Sequence, residues 1–218
     1  AGVEPGEPVV ELARAIQARP NVQLRGLMTW EAHALGIEDE TIKRQTIAEA
    51  IGQVTDSADR CRQAGFPNEN VSCGGSGTYV ITANESGITE IQAGGAIFRD
   101  MTYAAWNVPT RHALFVHSVV TSHPVPNRII IDAGFKALPR SRHMPQPIGF
   151  DRVADMFMSA EHGIITLDHD NEEIEVGDRF DFIPAYGDTT VFLHDNMYAL
   201  RGDIVEAVWP IAARGKLR

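Results

Sequence analysis

Val71-Ser72-Cys73-Gly74-Gly75-Ser76-Gly77-Thr78 sets a short β-branched run directly before a glycine-rich loop that ends in threonine. Without Cβ atoms, such a loop can bring several backbone N–H groups and two hydroxyls around one anion, most naturally a phosphate. A second run, Ile88-Thr89-Glu90-Ile91-Gln92-Ala93, ends in Gly94-Gly95. Either glycine cluster alone reads equally well as a tight turn. Together, and in this order, they predict a phosphate held at the mouth of a barrel by Ser76, Gly77, Thr78, Gly94 and Gly95. Upstream, Trp30-Glu31-Ala32-His33 closes another strand-like run. His33 is a candidate cofactor contact or base, with a hydrogen-bonded structural histidine as the alternative.

The elements that position these residues follow from periodicity. Pro8 suits a first helical turn, and Val10, Leu12, Ala13 and Ile16 give a helical period ending near Arg19-Pro20. Val22 to Thr29 reads as a buried strand. A long helix is expected from about Asp39 to Ala64, because Ile47, Ile51, Val54, Ala58 and Cys61 recur at intervals of 4, 3, 4 and 3. Gly65 is placed to end it. The Val71 strand, a short helical piece around Tyr79 to Ala83, and the Ile88 strand complete a βα alternation. That alternation implies parallel strands with functional residues at their C-terminal ends.

Beyond about residue 106 the pattern changes to short β runs: Ala113 to Thr121, Arg128 to Asp132, Gly163 to Leu167, Arg179 to Ile183, Met197 to Arg201 and Ile204 to Trp209. The acidic run Asp168 to Glu175 reads as a solvated hairpin tip. His112, His117 and His123 alternate along a strand and are expected at solvent or interface positions, and His162 in a turn. The fold class is therefore α/β, with βα units over residues 1–105 and a mainly antiparallel β domain over 106–218. Three βα units cannot close a barrel, so the first segment reads as the C-terminal part of one.

The bulk composition excludes several function classes. With 44% hydrophobic and 22% charged residues the chain is ordinary for a globular protein. No apolar run approaches the roughly 20 residues of a membrane helix. A formal charge of -10 argues against nucleic acid and acidic membrane surfaces. Two cysteines, Cys61 and Cys73, are no disulfide framework, so a reducing cytoplasm is the expected setting. The first residues read as a loop feeding a helix, as though the chain begins within a domain.

The ordered landmarks resemble the metal-activated D-threonine aldolase and D-serine dehydratase family, fold type III (alanine racemase-like) pyridoxal-phosphate enzymes. They are Gly26-Leu27-Met28 with Trp30-Glu31-Ala32-His33, Gly74 to Thr78, Thr89 to Gly94, Asp132-Ala133-Gly134-Phe135-Lys136-Ala137-Leu138, Glu161-His162-Gly163, Val176-Gly177-Asp178-Arg179, and Pro184 to Thr190. The resemblance implies a (β/α)8 barrel followed by a D-serine dehydratase-like β domain, usually as a homodimer. It implies pyridoxal 5'-phosphate, with Trp30 as an aromatic wall and Gln92 where alanine racemases carry an arginine facing the pyridine nitrogen. The family's Schiff-base lysine lies on the first barrel strand, and none of Lys43, Lys136 and Lys216 matches it. A lysine-bearing N-terminal barrel segment is thus an expected partner of this stretch.

The resemblance also implies a divalent metal held near the C-terminus by a His two residues before a Cys or Asp. Here Tyr186 stands in place of that His and Asp188 survives. A phenol is a far poorer ligand than imidazole, so any ion would be Mg²⁺ or Mn²⁺, weakly held on Asp188. The expected activity is lyase chemistry on D-β-hydroxy-α-amino acids, with aldol cleavage to glycine and an aldehyde and Asp188 and His33 as catalytic groups. The alternatives on the same scaffold are D-serine dehydratase-like β-elimination and racemisation. An alternative of another class is a non-catalytic cofactor-binding or assembly subunit.

Overall fold

Asp39 caps the longest helix of the computed structural model, which describes residues 2–216. Its Oδ1 accepts from the amides of Thr41 and Ile42 at 2.9 and 3.0 Å, and α2 follows over Glu40–Gln63. The predicted stripe is the buried one: Ile47, Ile51, Val54, Ala58 and Cys61 all face inward. Gly65 stops the helix in the left-handed region at φ +85°. The preceding helix, α1 (Glu7–Gln17), has its proline in the first turn and packs Val10 and Ala13 against Cys61 and Phe66.

The chain divides into two units, Ala1–Ala96 and Ile97–Arg218. In the first, β1 (Gly26–Met28), β2 (Asn70–Cys73) and β3 (Glu90–Ile91) form a parallel three-stranded sheet in that order. The short helix α3 (Tyr79–Thr82) lies between β2 and β3 in sequence. Val71, Cys73 and Ile81 join the α2 stripe in one core cluster. The strand expected over Val22–Thr29 is shorter than its composition suggested. β1 pairs only with β2, from Gly26↔Asn70 to Met28↔Ser72, so Val22–Arg25 have no ladder to join, and Val22 is exposed. The Ile88 strand shrinks to Glu90–Ile91 because only Ser72 and Cys73 oppose it.

The second unit opens with α4 (Met101–Ala105) and is built on a six-stranded antiparallel sheet. Its strands are β4 (Val116–Val125), β5 (Arg128–Ile131), β6 (Gln146–Ile148), β7 (Val153–Met158), β8 (Gly163–Leu167) and β9 (Arg179–Ile183), in the order β6-β9-β4-β5-β8-β7. Ile129, Ile131, Leu138, Ile165, Leu167 and Phe182 are the heart of its core. The sequence reading missed the two edge strands. Pro147 hid β6, and a proline is tolerated there because an edge strand has a free side. The hairpin expected at Asp168–Glu175 is instead a crossover, because β8 pairs with β5 and β7 whereas β9 pairs with β4 and β6. After α5 (Gly187–Val191), β10 (Asn196–Arg201) and β11 (Ile204–Pro210) form a separate two-stranded ribbon. No helix among the described residues is long and apolar enough to cross a membrane.

Candidate functional site

Pairing of β2 with both neighbours places the C-terminal ends of all three parallel strands side by side. Thr29 donates its amide to the Ser72 carbonyl and Gln92 to that of Cys73, at 3.0 and 3.2 Å. The glycine loop leaves β2 at Gly74, whose φ of +75° belongs to the left-handed region. Gly75 lies close to an aromatic side chain: a Cβ there would lie 2.5 Å from Trp30 Nε1. The exposed indole of Trp30 therefore lies directly against the loop. From the other strand end, the Ala96 amide donates to Ser76 Oγ at 2.8 Å. Ser76 is thereby held to the 3₁₀ turn Gly95–Ile97 that follows β3.

Glu31 organises the loop from beneath, and the sequence reading gave it no role. It is fully buried. Its Oε1 accepts the Gly74 amide at 3.2 Å and its Oε2 accepts the Thr78 hydroxyl at 3.0 Å. Thr78 Oγ1 in turn accepts the Gly75 amide at 3.1 Å. The Thr78 proton is thereby committed inside the protein, while the amides of Ser76, Gly77 and Gly94 have no acceptor among the described residues. Unpartnered amides at a loop tip, with open space where a Gly94 Cβ would stand, fit a phosphate. The signal for Glu31 was an acidic residue at a strand end, but its partner lies 47 positions away and no local spacing could pair them.

Gln92 is exposed and its orientation follows from a hydrogen-bond chain. Ser72 Oγ donates to Glu90 Oε1 and accepts from Gln92 Nε2, both at 2.5 Å. A hydroxyl has one proton, so the Gln92 amide nitrogen must face Ser72 and its carbonyl oxygen is left outward. His33 lies exposed in the 3₁₀ turn Ala32–Ala34 after β1. Cys73, beneath the loop, has its thiol pushed up to about 11, first by burial and then by the charge of Glu31.

In the second unit, Tyr186 and Asp188 stand at the start of α5. The phenol donates to Asp188 Oδ2 at 2.6 Å. Its pKa is raised above the usual phenol value, first by burial and then by that bond and the Asp188 charge. Asp100, fully buried, accepts the Gly187 amide at 2.5 Å and the Tyr103 amide at 3.0 Å. It therefore ties the first turn of α4 to the first turn of α5. Burial raises its pKa against the pull of its amide donors. No group of three His, Cys, Asp or Glu among the described residues could hold a metal ion. With a phenol proton on one carboxylate oxygen and no imidazole, this donor set does not fit a tightly held divalent ion.

Several other histidines have partners within the fold. His112 contacts the Arg99 carbonyl, His123 those of Ile174 and Pro126 at 2.8 and 3.2 Å, and His117 the Asp181 carboxylate at 2.8 Å. His162 occupies a turn closed by the Ser159 amide on its carbonyl at 2.9 Å. Lys136 pairs with Glu161.

Comparison with known proteins matches both units. Residues 1–101 match the alanine racemase N-terminal domain, and residues 113–200 the "Putative serine dehydratase domain". The chain is 32% identical, over 99% of its length, to 57% of a 3-hydroxy-D-aspartate aldolase of Paracoccus denitrificans. It is 28% identical, over 98% of its length, to 58% of a D-threonine aldolase of Arthrobacter sp.. The crystal structure of D-threonine aldolase from Filomicrobium marinum superposes on all of it with a TM-score of 0.93 at 28% identity, covering 61% of that chain. The chain thus spans less than two thirds of the length of these relatives.

Proposed function

We propose that this chain, which belongs to the alanine racemase-like family of D-threonine aldolases and D-serine dehydratases, is part of a pyridoxal-phosphate lyase that cleaves D-β-hydroxy-α-amino acids to glycine and an aldehyde. The observation that carries the reading is the pair of strand-end loops joined by the Ala96–Ser76 bond, with the Ser76, Gly77 and Gly94 amides lacking acceptors among the described residues. Those amides, with Gly95 and the loop position of Thr78, would hold the phosphate of pyridoxal 5'-phosphate. Trp30 would wall the site, and Gln92 would present its amide oxygen on the same sheet end. When bound, the cofactor supplies a sink for the electron pair left at Cα as the Cα–Cβ bond breaks.

The chain's own residues manage protons. Cleavage requires the β-hydroxyl to lose its proton while the C–O bond gains double-bond character, and Asp188 is the proposed acceptor. The Tyr186 hydrogen bond holds that carboxylate in one orientation. His33 is proposed as the base or contact on the cofactor side. The Tyr186–Asp188 pair, a phenol donating to a carboxylate, does not suit a divalent metal. A lysine-bearing partner segment, a homodimer and a cytoplasmic setting belong to the same reading.

The test uses the full-length protein containing this chain, loaded with pyridoxal 5'-phosphate and given D-threonine or D-3-hydroxyaspartate. Glycine formation from the D but not the L substrate is the expected result. Ammonia and a keto acid instead would establish β-elimination. Enantiomer exchange would establish racemisation, and bound cofactor without turnover would identify a binding subunit.

A further inference from the structure

Glu31 is a fully buried carboxylate with no ion pair among the described residues. Such a group is costly to bury unless hydrogen-bond donors replace its water. All of its donors come from one loop: the Gly74 amide at 3.2 Å and the Thr78 hydroxyl at 3.0 Å. Thr78 Oγ1 then accepts the Gly75 amide at 3.1 Å, and the Gly75 carbonyl receives the amides of Thr78 and Tyr79 at 3.0 and 2.9 Å. The donors on the inner side of the loop are therefore committed to Glu31 or to one another. The Ser76 and Gly77 amides at the tip have no acceptor among the described residues.

We propose that Glu31 is a positioning residue that gives this loop its preference for a phosphate, an inference that rests on the cofactor reading above. Glu31 does not touch the anion. It draws the Gly74 amide and Thr78 hydroxyl inward, which fixes the turn and leaves the next two amides directed out of it. An anion then meets donors already in place and spends little on reorganising the loop. Charge-assisted bonds within a buried network reinforce one another, so a neutral side chain of the same shape holds the turn less firmly.

The experiment compares pyridoxal 5'-phosphate with pyridoxal as probes of the full-length protein, using wild type, Glu31→Gln, Thr78→Val and Thr78→Ser. The ratio of the two dissociation constants is the readout, because a merely structural role lowers stability without altering the preference for phosphate. In Glu31→Gln and Thr78→Val the ratio is expected to fall about tenfold, equivalent to about 1.4 kcal/mol. Thr78→Ser, which keeps the hydroxyl, is expected to retain the wild-type ratio. Ratios within about twofold of wild type in both disrupting variants, a difference of under about 0.5 kcal/mol, overturn the role of Glu31. Should Glu31→Gln fail to fold, Thr78→Val alone decides between these outcomes. A wild-type protein that binds both probes equally overturns the phosphate-cradle reading itself, and that result is distinct from an unchanged ratio.

Discussion

Glu31 in the first unit and Asp100 in the second are both completely buried carboxylates, and each ties distant stretches of chain together. Glu31 joins the end of β1 to the loop after β2 through one amide and one hydroxyl. Asp100 joins α4 to α5 through the amides of Tyr103 and Gly187. The difference lies in what each brace supports. Above Glu31 are the Ser76 and Gly77 amides, without acceptors among the described residues, the condition under which a loop can take an anion. Beside Asp100 is an exposed carboxylate, Asp188, already paired with the Tyr186 hydroxyl. In the function proposed above, one unit would receive negative charge and the other would present it. The same device, a buried carboxylate satisfied by hydrogen-bond donors, serves both: two amides for Asp100, one amide and one threonine hydroxyl for Glu31.

The comparison breaks first if buried and exposed carboxylates cost the same to remove. Glu31→Ala strips acceptors from a buried amide and a buried hydroxyl and is expected to lower unfolding free energy by roughly 3 kcal/mol. Asp188→Ala, at the surface, should cost under about 1 kcal/mol. Urea denaturation of the two variants side by side checks this, and equal losses would show that burial is not what distinguishes them.

Asp100 sharpens the contrast through pH. Burial raises its folded-state pKa above the unfolded value, so the folded protein holds that proton more tightly than the unfolded chain. Its contribution therefore falls as pH rises, from about pH 4, the unfolded value, up to the raised folded value, and is recovered on acidification. The difference in unfolding free energy between wild type and Asp100→Asn should slope downward across that window. A flat difference curve would remove Asp100 from the set of perturbed carboxylates.

A smaller effect is expected at the loop surface. The Cβ of Gly75→Ala would meet Trp30 Nε1 at 2.5 Å, but the indole is 56% exposed and can move aside. The expected cost is about 1 kcal/mol, accompanied by a change in tryptophan fluorescence and weaker cofactor binding. Unaltered fluorescence would place Trp30 away from the loop in solution.

The smallest effect reports on the Glu31 charge itself. Cys73 has its thiol pushed up to about 11, with burial the larger cause and Glu31 the second. Native alkylation of Cys73 should be very slow at neutral pH and modestly faster in Glu31→Gln, because one of the two causes is removed. Cys61, raised by burial and without Glu31 among its causes, is the internal control. An equal acceleration at both cysteines would mean general loosening of the fold.

Much of this architecture was legible in the residues alone, wherever the determinant was local. The apolar spacing of Ile47 to Cys61, the Asp39 cap and the Gly65 stop define α2 because an α-helix closes its hydrogen bonds within a few residues. The strands at Val71, Arg128, Gly163 and Arg179 were visible as short β-branched and aromatic runs, and the two glycine loops as strand ends. The tertiary structure decided whatever depends on which strand lies beside which. The truncation of β1 and β3, the separation of β8 from β9 and the edge position of Pro147 all follow from ladder partners, which composition does not specify. The Glu31–Thr78 bond and the Glu90–Ser72–Gln92 chain are likewise products of parallel register. They join residues far apart in sequence, and only the alignment of neighbouring strand ends brings those side chains within hydrogen-bond reach.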